Sequence, residues 1–434
     1  GENGVVYLSS RTPLGPVPRS IPHVLDERAA DHPDRPWLKQ RLPNHGDWRT
    51  VTYGEGARIT RSLAQALLDR GLGPDAPLLI LSGNSIEHAL MSMAAQRIAA
   101  PATPISMAYS VMSTDFAKLK HCFNAVQPKA IFVQTMDPFR KALATLPLEG
   151  VAVISADGSE GSEAFATLAE TPATSVVDTA MDWLGPDSIG KYLFTSGSTG
   201  MPKPTPQSQG QMTAQIAARN AIDEPGPDHD PSEVLQNLDW MPWSHISGGN
   251  VNYNGCLALG GTFHIDEGRP MPGLFVTTMK NAAEIRPQYF GSAPIAYAML
   301  AEAMEQDSEF RDAFFSRMKY MVYGGATLSD DLYDRIQALA IASTGERIPL
   351  TTMYGATETQ GVTMVHWQLE RVGMVGLPLP GQTLKLVPTG AKMEVRVKGP
   401  MVMKGYLNLP EKNKEVFDEE GFYCLGDAAR FSDP

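Results

Sequence analysis

Short apolar segments alternate with helical segments along most of this chain, and this alternation constrains the fold more than any other feature of the sequence. Apolar runs of strand length occupy residues 78–81, 130–133, 151–154, 191–194, 288–290, 320–323 and 349–353. Helical spacing of apolar residues occurs between them, at 59–70, 88–99, 296–304 and 331–342. Thr52 with Glu55, and Asn84 with Glu87, have the spacing expected at helix starts. This order predicts an α/β fold with helices on both faces of parallel sheets and ligands at the carboxyl ends of the strands.

A change of pattern near residue 374 indicates how the chain is divided. Residues 1–50 are rich in proline and arginine and are predicted to form an irregular lead-in. Residues 51–373 carry the strand and helix alternation and are predicted to form an α/β core of two parallel-type sheet subdomains. Alternating residues at 383–387 and 393–398 indicate antiparallel strands, so residues 374–434 are predicted to form a small β-barrel-like subdomain.

Charge and cysteine content argue against several functional classes. The chain has 36 basic and 48 acidic residues, and a net charge of −12 disfavours non-specific binding to nucleic acid. The three cysteines, Cys122, Cys256 and Cys424, form no CxxC pair, so neither a disulfide framework nor a zinc site is expected. The apolar stretches are far shorter than the roughly 20 residues of a membrane helix. We therefore expect a cytoplasmic protein without a membrane partner.

The most informative segment follows the apolar run at 191–194 and combines hydroxyl groups, glycines and a lysine. Its candidate phosphate ligands are Thr195, Ser196, Gly197, Ser198, Thr199, Gly200 and Lys203. Glycines let the backbone approach a ligand closely, while N–H groups, hydroxyls and a lysine can surround phosphate oxygens. The Walker pattern GxxxxGK[ST] does not occur, so an ordinary P-loop NTPase is excluded. A polar turn without a ligand is the alternative, but the order TSGSTGxPK after an apolar strand favours a phosphate site.

This segment resembles the phosphate-binding motif of the adenylate-forming superfamily, which includes acyl-CoA synthetases, luciferases and the adenylation domains of peptide synthetases. Further segments resemble motifs of the same family and follow in the family's order. They are residues 240–245 (WMPWSH), 323–326 (YGGA), 354–359 (YGATET) and 421–427 (GFYCLGD). Together the matches span most of residues 50–430, which makes chance similarity a poor explanation.

The resemblance implies roles for individual residues. Besides the phosphate segment, ATP would be bound by Gly324, Gly325, Ala326, Met353, Tyr354, Gly355, Thr357 and Asp427. The residues implied in catalysis are Thr199, Lys203, His245 and Glu358, with Mg²⁺ held by Glu358. The acyl pocket would contain His245, Ser247, Val251, Gly361 and Val362. Without the resemblance, Glu358 could be a solvated loop acid, Asp427 a turn residue and the pocket residues ordinary core. The central expectation is that Lys203 and Glu358 meet at one triphosphate.

The implied reaction joins a carboxylic acid to the α-phosphorus of ATP, giving acyl-AMP and pyrophosphate, and then transfers the acyl group to coenzyme A. Residues 79–88 and 108–119 resemble the feruloyl-CoA synthase branch, which implies an aromatic, hydroxycinnamic substrate. Transfer to a carrier-protein thiol and an inactive nucleotide-binding domain are the two alternatives. The family's small C-terminal domain would begin soon after Pro434, so we expect this chain to be the large domain of a longer enzyme.

Two positions differ from the family pattern. Pro204 follows Lys203 where the family usually continues with Gly-Val, and Leu425 stands where the family usually has threonine. Proline fixes φ and removes an N–H group, so we expect the path of Lys203 toward pyrophosphate to be affected. Leu425 lacks the hydroxyl group that would contact the nucleotide.

Overall fold

The computed structural model describes residues 4–42, 46–196, 200–222, 230, 232–369 and 372–432. Its strands are β1 (Val6–Ser9), β2 (Pro36–Arg41), β3 (Trp48–Thr52), β4 (Leu78–Leu81), β5 (Ala102–Pro104), β6 (Ala130–Val133), β7 (Ala152–Ser155), β8 (Glu163–Ala164), β9 (Ile189–Ser196), β10 (Pro202–Ser208), β11 (Gln236–Asp239), β12 (Thr262–Ile265), β13 (Tyr289–Ser292), β14 (Tyr320–Tyr323), β15 (Leu350–Ala356), β16 (Gln360–Met364), β17 (Leu377–Pro378), β18 (Thr383–Thr389), β19 (Lys392–Lys398) and β20 (Tyr423–Ala429). Its α-helices are α1 (Ile21–Asp31), α2 (Tyr53–Asp69), α3 (Ile86–Arg97), α4 (Ala117–Val126), α5 (Arg140–Leu143), α6 (Phe165–Ala169), α7 (Ser175–Asp182), α8 (Gln209–Asn220), α9 (Tyr253–Ala258), α10 (Phe275–Ile285), α11 (Pro294–Gln306), α12 (Ser308–Phe315), α13 (Asp330–Thr344) and α14 (Pro410–Val416).

The first sheet has the strand order β10-β9-β5-β4-β6-β7-β8. Its strands are parallel except for β10, which runs antiparallel to β9 at one edge. Every residue of β4 and β6 is buried, because helices cover both faces of a parallel sheet. The predicted runs at 78–81 and 130–133 are therefore confirmed at their observed bounds.

The second sheet has the order β17-β16-β15-β14-β13-β11-β12-β2-β3. The central strands are parallel, and antiparallel strands flank them at both edges. Both sheets contribute to one hydrophobic cluster, to which Phe132 belongs on the first sheet and Phe263 on the second. Burying one such side chain stabilises the fold by about 1.5–3 kcal/mol. The prediction of an α/β fold with two parallel-type sheets is confirmed.

The third sheet is antiparallel, with the order β1-β18-β19-β20. The antiparallel strands predicted at 383–387 and 393–398 are confirmed as β18 and β19. In the described residues this sheet is open, with β1 and β20 at its two edges, so the barrel-like form that we expected is not what the structure contains.

The prediction of an irregular lead-in over residues 1–50 was wrong. This segment supplies β1 to the third sheet, β2 and β3 to the second sheet, and helix α1. Two of its prolines stand where a missing N–H group costs little: Pro22 lies in the first turn of α1, and Pro36 is the first residue of β2. Proline content therefore did not exclude regular structure.

Helix caps explain where two of the central helices begin. Thr52 and Glu55 form the predicted capping box at the start of α2. Helix α3 begins one residue later than the pair Asn84 and Glu87 suggested, because the side chain of Ser85 accepts a hydrogen bond from the backbone N–H of His88. None of the helices in the described ranges has the length and apolar character needed to cross a bilayer.

Candidate functional site

Four of the five motif segments lie at or just past the carboxyl ends of strands, and the fifth, 421–427, runs into β20. The hydroxyl-rich segment follows β9, residues 240–245 follow β11, Gly324 follows β14, and Glu358 lies in the turn after β15. In the second sheet, β14 and β15 are direct neighbours. Open α/β sheets bind ligands at this edge, so the fold places these segments where a ligand can meet several of them.

The phosphate segment forms the connection between β9 and β10. Thr195 lies directly opposite Lys203 in the antiparallel pair. The Oγ1 atom of Thr195 is buried and has no hydrogen-bond partner among the described residues. Gly200 is exposed with φ +94°, and a Cβ there would meet open space. The predicted ligands Gly197, Ser198 and Thr199, and the side chain of Ser196, lie outside the described part of the structure.

Lys203 and Glu358 meet at the hydroxyl group of Tyr406. Lys203 Nζ donates to the Tyr406 oxygen at 3.1 Å and lies 4.5 Å from the centroid of its ring. The same hydroxyl donates to Glu358 Oε1 at 2.7 Å. Burial and the nearby Glu358 carboxylate raise the pKa of Tyr406 well above its ordinary value, so the phenol remains a donor. The lysine and the acid that the sequence singled out are therefore two hydrogen bonds apart.

The Glu358 turn is held in a strained, tightly packed form. A Cβ on Gly355 would lie 1.9 Å from the carbonyl oxygen of Gln360, so this position requires glycine. Gln360 itself has φ +54°, which is unusual for a residue with a side chain. The backbone N–H of Met403 donates to the carbonyl oxygen of Glu358 at 2.7 Å. These contacts fix the backbone that carries the buried Glu358 side chain.

A second pair of predicted residues is joined by a direct hydrogen bond. The hydroxyl of Tyr354 donates to Asp427 Oδ2 at 2.6 Å. Burial and this hydrogen bond raise the pKa of Tyr354 well above its ordinary value. Asp427 is exposed, and its Oδ1 has no part in that bond. Gly324 and Gly325 border open space, where an added Cβ would meet no atom within 4 Å.

The remaining predicted nucleotide residues differ in exposure. Ala326 is exposed, while Thr357 and Met353 are half-buried. The sulfur of Met353 lies 3.9 Å from the amide nitrogen of Gln215. Their contacts with a nucleotide stay predictions.

Pro204 fits its strand because β10 lies at an edge of the first sheet. The carbonyl oxygen of Pro204 accepts from the backbone N–H of Leu407 at 3.0 Å, and that of Pro202 accepts from His121 Nε2 at 2.8 Å. In a strand, the N–H and C=O of one residue point to the same side, so both prolines lack an N–H group on the side facing away from β9. The pairing that sets Lys203 opposite Thr195 is therefore intact.

The predicted acyl-pocket residues fall into two groups. His245 is exposed at the start of a π-helix, Ser247–Asn252, in which Ser247 and Val251 are half-buried. Desolvation by the surrounding protein lowers the pKa of His245 although one side of its ring remains accessible. π-Helices occur often at functional sites, and this one lies beside the segment 240–245.

Gly361 and Val362 are both buried, and their place at the acyl pocket stays a prediction. The backbone N–H of Gly361 donates to Gln215 Oε1 at 2.8 Å, and a Cβ there would lie 2.6 Å from Leu379. Val362 is fully buried in the hydrophobic cluster beneath the third sheet. Its apolar side chain explains this position, because it packs with Leu384 and Val397.

The segment after β11 is held by Asn84, which was not predicted to be a site residue. The side chain of Asn84 donates to the carbonyl oxygen of Met241 at 2.8 Å and accepts from the backbone N–H of Trp243 at 3.0 Å. Trp240 donates through Nε1 to Ser292 Oγ at 3.1 Å. Neither Tyr406 nor Asn84 was predicted as a site residue: Tyr406 lies in no motif segment, and Asn84 was noted only as a helix start within the segment 79–88.

The residues present suit a metal ion that is held mainly by its substrate. No group of three histidine, cysteine, aspartate or glutamate side chains able to bind a metal occurs in the described ranges. Glu358 therefore offers a single carboxylate. Mg²⁺ is commonly bound by one or two carboxylates together with water and substrate phosphates, so this donor set fits Mg²⁺ if phosphate oxygens complete it.

Comparison with known proteins identifies the family. The sequence profile named AMP-binding enzyme matches residues 25–407, which is most of the chain. The chain belongs to the AMP-binding enzyme family. Among the relatives of this AMP-binding enzyme, 3-hydroxybenzoate–CoA ligase of Aromatoleum sp. is 26% identical over 93% of this chain and 75% of its own length. Phenylacetyl-CoA ligase of Aspergillus niger is 29% identical over 54% of this chain and 42% of its own length.

A solved structure supports the fold of this AMP-binding enzyme over nearly its whole length. The inhibitor-bound N-terminal domain of FACL13 from Mycobacterium tuberculosis superposes with a TM-score of 0.75 at 20% identity, covering 96% of this chain and 98% of that one. The chain thus has the mixed α/β fold of the N-terminal domain of adenylate-forming enzymes. It spans less than half of the length of the Aspergillus relative.

Proposed function

We propose that this protein activates a carboxylic acid with ATP, forming acyl-AMP and pyrophosphate, and that the acyl group then passes to coenzyme A. The observation that carries the proposal is the meeting of Lys203 and Glu358 at Tyr406, beside the strand ends. A cation for phosphate and a hard oxygen ligand for Mg²⁺ are the two groups that a triphosphate requires close together. Membership of the AMP-binding enzyme family supports the same reaction.

Some of these residues would offset negative charge, and others would position the substrates. The substrate carboxylate attacks the α-phosphorus, so two anions must approach each other, and Lys203 with the β9–β10 connection offsets that charge. Glu358 would hold Mg²⁺ together with phosphate oxygens and water, and the ion would neutralise charge on the phosphates. Asp427 would accept from the ribose hydroxyls through Oδ1, while Tyr354 fixes Oδ2. No side-chain nucleophile is needed, since positioning supplies much of the rate.

We propose an aromatic acid of the ferulate type as the substrate. The segments at 79–88 and 108–119 resemble feruloyl-CoA synthases, and the relatives named above act on 3-hydroxybenzoate and phenylacetate by name. In this proposal the acid would lie beside Trp240 and the π-helix Ser247–Asn252. Residues 244–254 include no carboxylate for an amino group, which disfavours the amino-acid substrates of peptide synthetases.

A panel of acids tests the proposal directly. We expect Mg²⁺-dependent exchange of pyrophosphate into ATP with ferulate, 4-coumarate and 3-hydroxybenzoate, weaker exchange with a long-chain fatty acid, and none above background with phenylalanine. In the full-length enzyme, addition of coenzyme A should then release AMP and form the thioester. A preference for amino acids would favour transfer to a carrier-protein thiol, and ATP binding without exchange for any acid would favour an inactive nucleotide-binding domain.

The shared hydroxyl of Tyr406 gives a second expectation. Tyr406→Phe removes the hydrogen bonds to Lys203 and Glu358 and keeps the buried ring. Exchange should fall about tenfold, since a hydrogen bond to a charged group contributes about 1.5–3 kcal/mol. Tyr7→Phe, which removes a hydroxyl bonded to Glu420 at the surface, is the matched control and should leave exchange unchanged. Equal rates for both variants would show that Tyr406 does not position the pair.

A further inference from the structure

Lys191 is a buried lysine in the interior of the first sheet. It lies in β9, four residues before Thr195, and only 4% of its surface is exposed. Its Nζ contacts no carboxylate in the part of the chain that the structure describes, and donates instead to the carbonyl oxygen of Gly249 at 2.7 Å and to Asn250 Oδ1 at 3.0 Å. Burying a lysine without an acid partner costs folding free energy. The groups that accept hydrogen bonds from Lys191 therefore indicate its role.

Both of its partners belong to the π-helix Ser247–Asn252. Two glycines of this π-helix lie against the segment after β11, where a Cβ on Gly248 would lie 2.5 Å from Met241 O and one on Gly249 would lie 2.4 Å from Trp243 O. Further along the helix, Asn252 Nδ2 donates to Asp239 Oδ2 at 2.7 Å. The Lys191 amine is therefore one of several restraints on the π-helix, and it is the one that acts on Gly249 and Asn250.

Amide side chains continue the contact toward the Glu358 turn. Asn250 Nδ2 donates to Gln207 Oε1 at 3.2 Å, and Gln360 Nε2 donates to the same oxygen at 2.5 Å. Gln207 Nε2 donates to the carbonyl oxygen of Thr357, the residue before Glu358, at 3.0 Å. These amide groups are buried and connect two elements, the π-helix and the Glu358 turn, that are more than 100 residues apart in sequence.

We propose, on the basis of the proposed function, that Lys191 is a positioning residue. Its two hydrogen bonds hold the π-helix in the conformation that bounds the acyl pocket. The amides of Asn250 and Gln207 fix that helix relative to the Glu358 turn. A neutral amine has two N–H groups, which matches the two acceptors. Burial lowers the pKa of Lys191 to about 7, which is consistent with that form.

Lys191→Met tests the proposal because methionine fills similar space without an amine. We expect the KM for the preferred aromatic acid to rise about tenfold and the KM for ATP to change by less than about twofold, since the phosphate ligands are untouched. Amide hydrogen exchange measured at pH 8 should be faster in peptides covering residues 247–258. Lys118→Met, at an exposed lysine of α4, is the control and should change none of these quantities.

The outcomes separate this proposal from the proposed function. A folded Lys191→Met protein with unchanged KM for the acid and unchanged hydrogen exchange at 247–258 would overturn the role of Lys191. Absence of acid-dependent exchange in the parent protein would overturn the proposed function, while hydrogen exchange would still decide whether Lys191 holds the helix. If Lys191→Met does not fold, Asn250→Ala, which removes one acceptor and the link to Gln207, should raise the acid KM in the same direction, and no rise would count against the proposal.

Discussion

Glu358→Gln is expected to lower acid-dependent pyrophosphate exchange by at least about 100-fold, the loss typical when a charge-stabilising group is removed from an active site. Glutamine keeps the shape of the side chain and can still accept from Tyr406 through its amide oxygen, so the turn should stay folded. What it loses is the negative charge that would hold Mg²⁺ against the phosphates. The effect should therefore be larger than that of Tyr406→Phe, which leaves the carboxylate in place.

The measurement is the exchange rate at saturating ATP and acid over a range of Mg²⁺ concentrations, with thermal unfolding as a check of the fold. Glu305→Gln, at a surface glutamate paired with Arg335, makes the same chemical change far from the site and should have no effect. An exchange rate for Glu358→Gln within about twofold of the parent at high Mg²⁺ would contradict the proposed role, because the lost charge would then have no part in the reaction.

The candidate nucleotide site lies where all three sheets meet. Lys203 comes from the first sheet, Glu358 from the turn that ends β15 of the second, and Asp427 from β20 of the third. Tyr406 lies in the connection between β19 and β20 and is hydrogen-bonded to both Lys203 and Glu358. With the proposed function, the packing of the third sheet against the other two would help to position the nucleotide.

The sequence predicted those strands best that are buried on both faces. The bounds 78–81 and 130–133 were found as observed, because such strands are continuous apolar runs. Strand β10 was not predicted, since its prolines and polar residues have no strand-like pattern and are tolerated only because it is an edge strand. Local pattern could not reveal which strand would stand at an edge.

The residues of the candidate site also show what local sequence pattern could not predict. Lys203 and Glu358 were identified because each lies in a recognisable motif, but Tyr406 was not, since its partners are 203 and 48 residues away in sequence. Lys191 did leave a signal: a lysine stands inside an otherwise apolar run leading into the phosphate segment. That signal indicates an unusual buried amine, but its contacts with Gly249 and Asn250 depend on tertiary packing.

The free energy of unfolding should depend strongly on pH because of Lys191. The pKa of this lysine is lowered by burial from an ordinary value of 10.5 to about 7 in the folded protein. Between these values the unfolded chain binds a proton that the folded protein does not, so the parent gains stability as pH rises. Below about pH 7 both states are protonated, and the buried ammonium imposes its full cost.

Lys191→Met lacks this titration, so its stability relative to the parent should be highest at low pH and should fall as pH rises. From about pH 6.5 to about pH 9.5 the difference in unfolding free energy should change by on the order of 3 kcal/mol. His88, whose charge would act on Lys191, has its pKa lowered to about 4 by burial and stays neutral throughout this window. Urea denaturation of both proteins at several pH values measures the difference in unfolding free energy. For Lys118→Met, the same difference from the parent should not change with pH. A flat difference for Lys191→Met would mean that the folded protein keeps this lysine charged, and the match between two N–H groups and two acceptors would then lose its support.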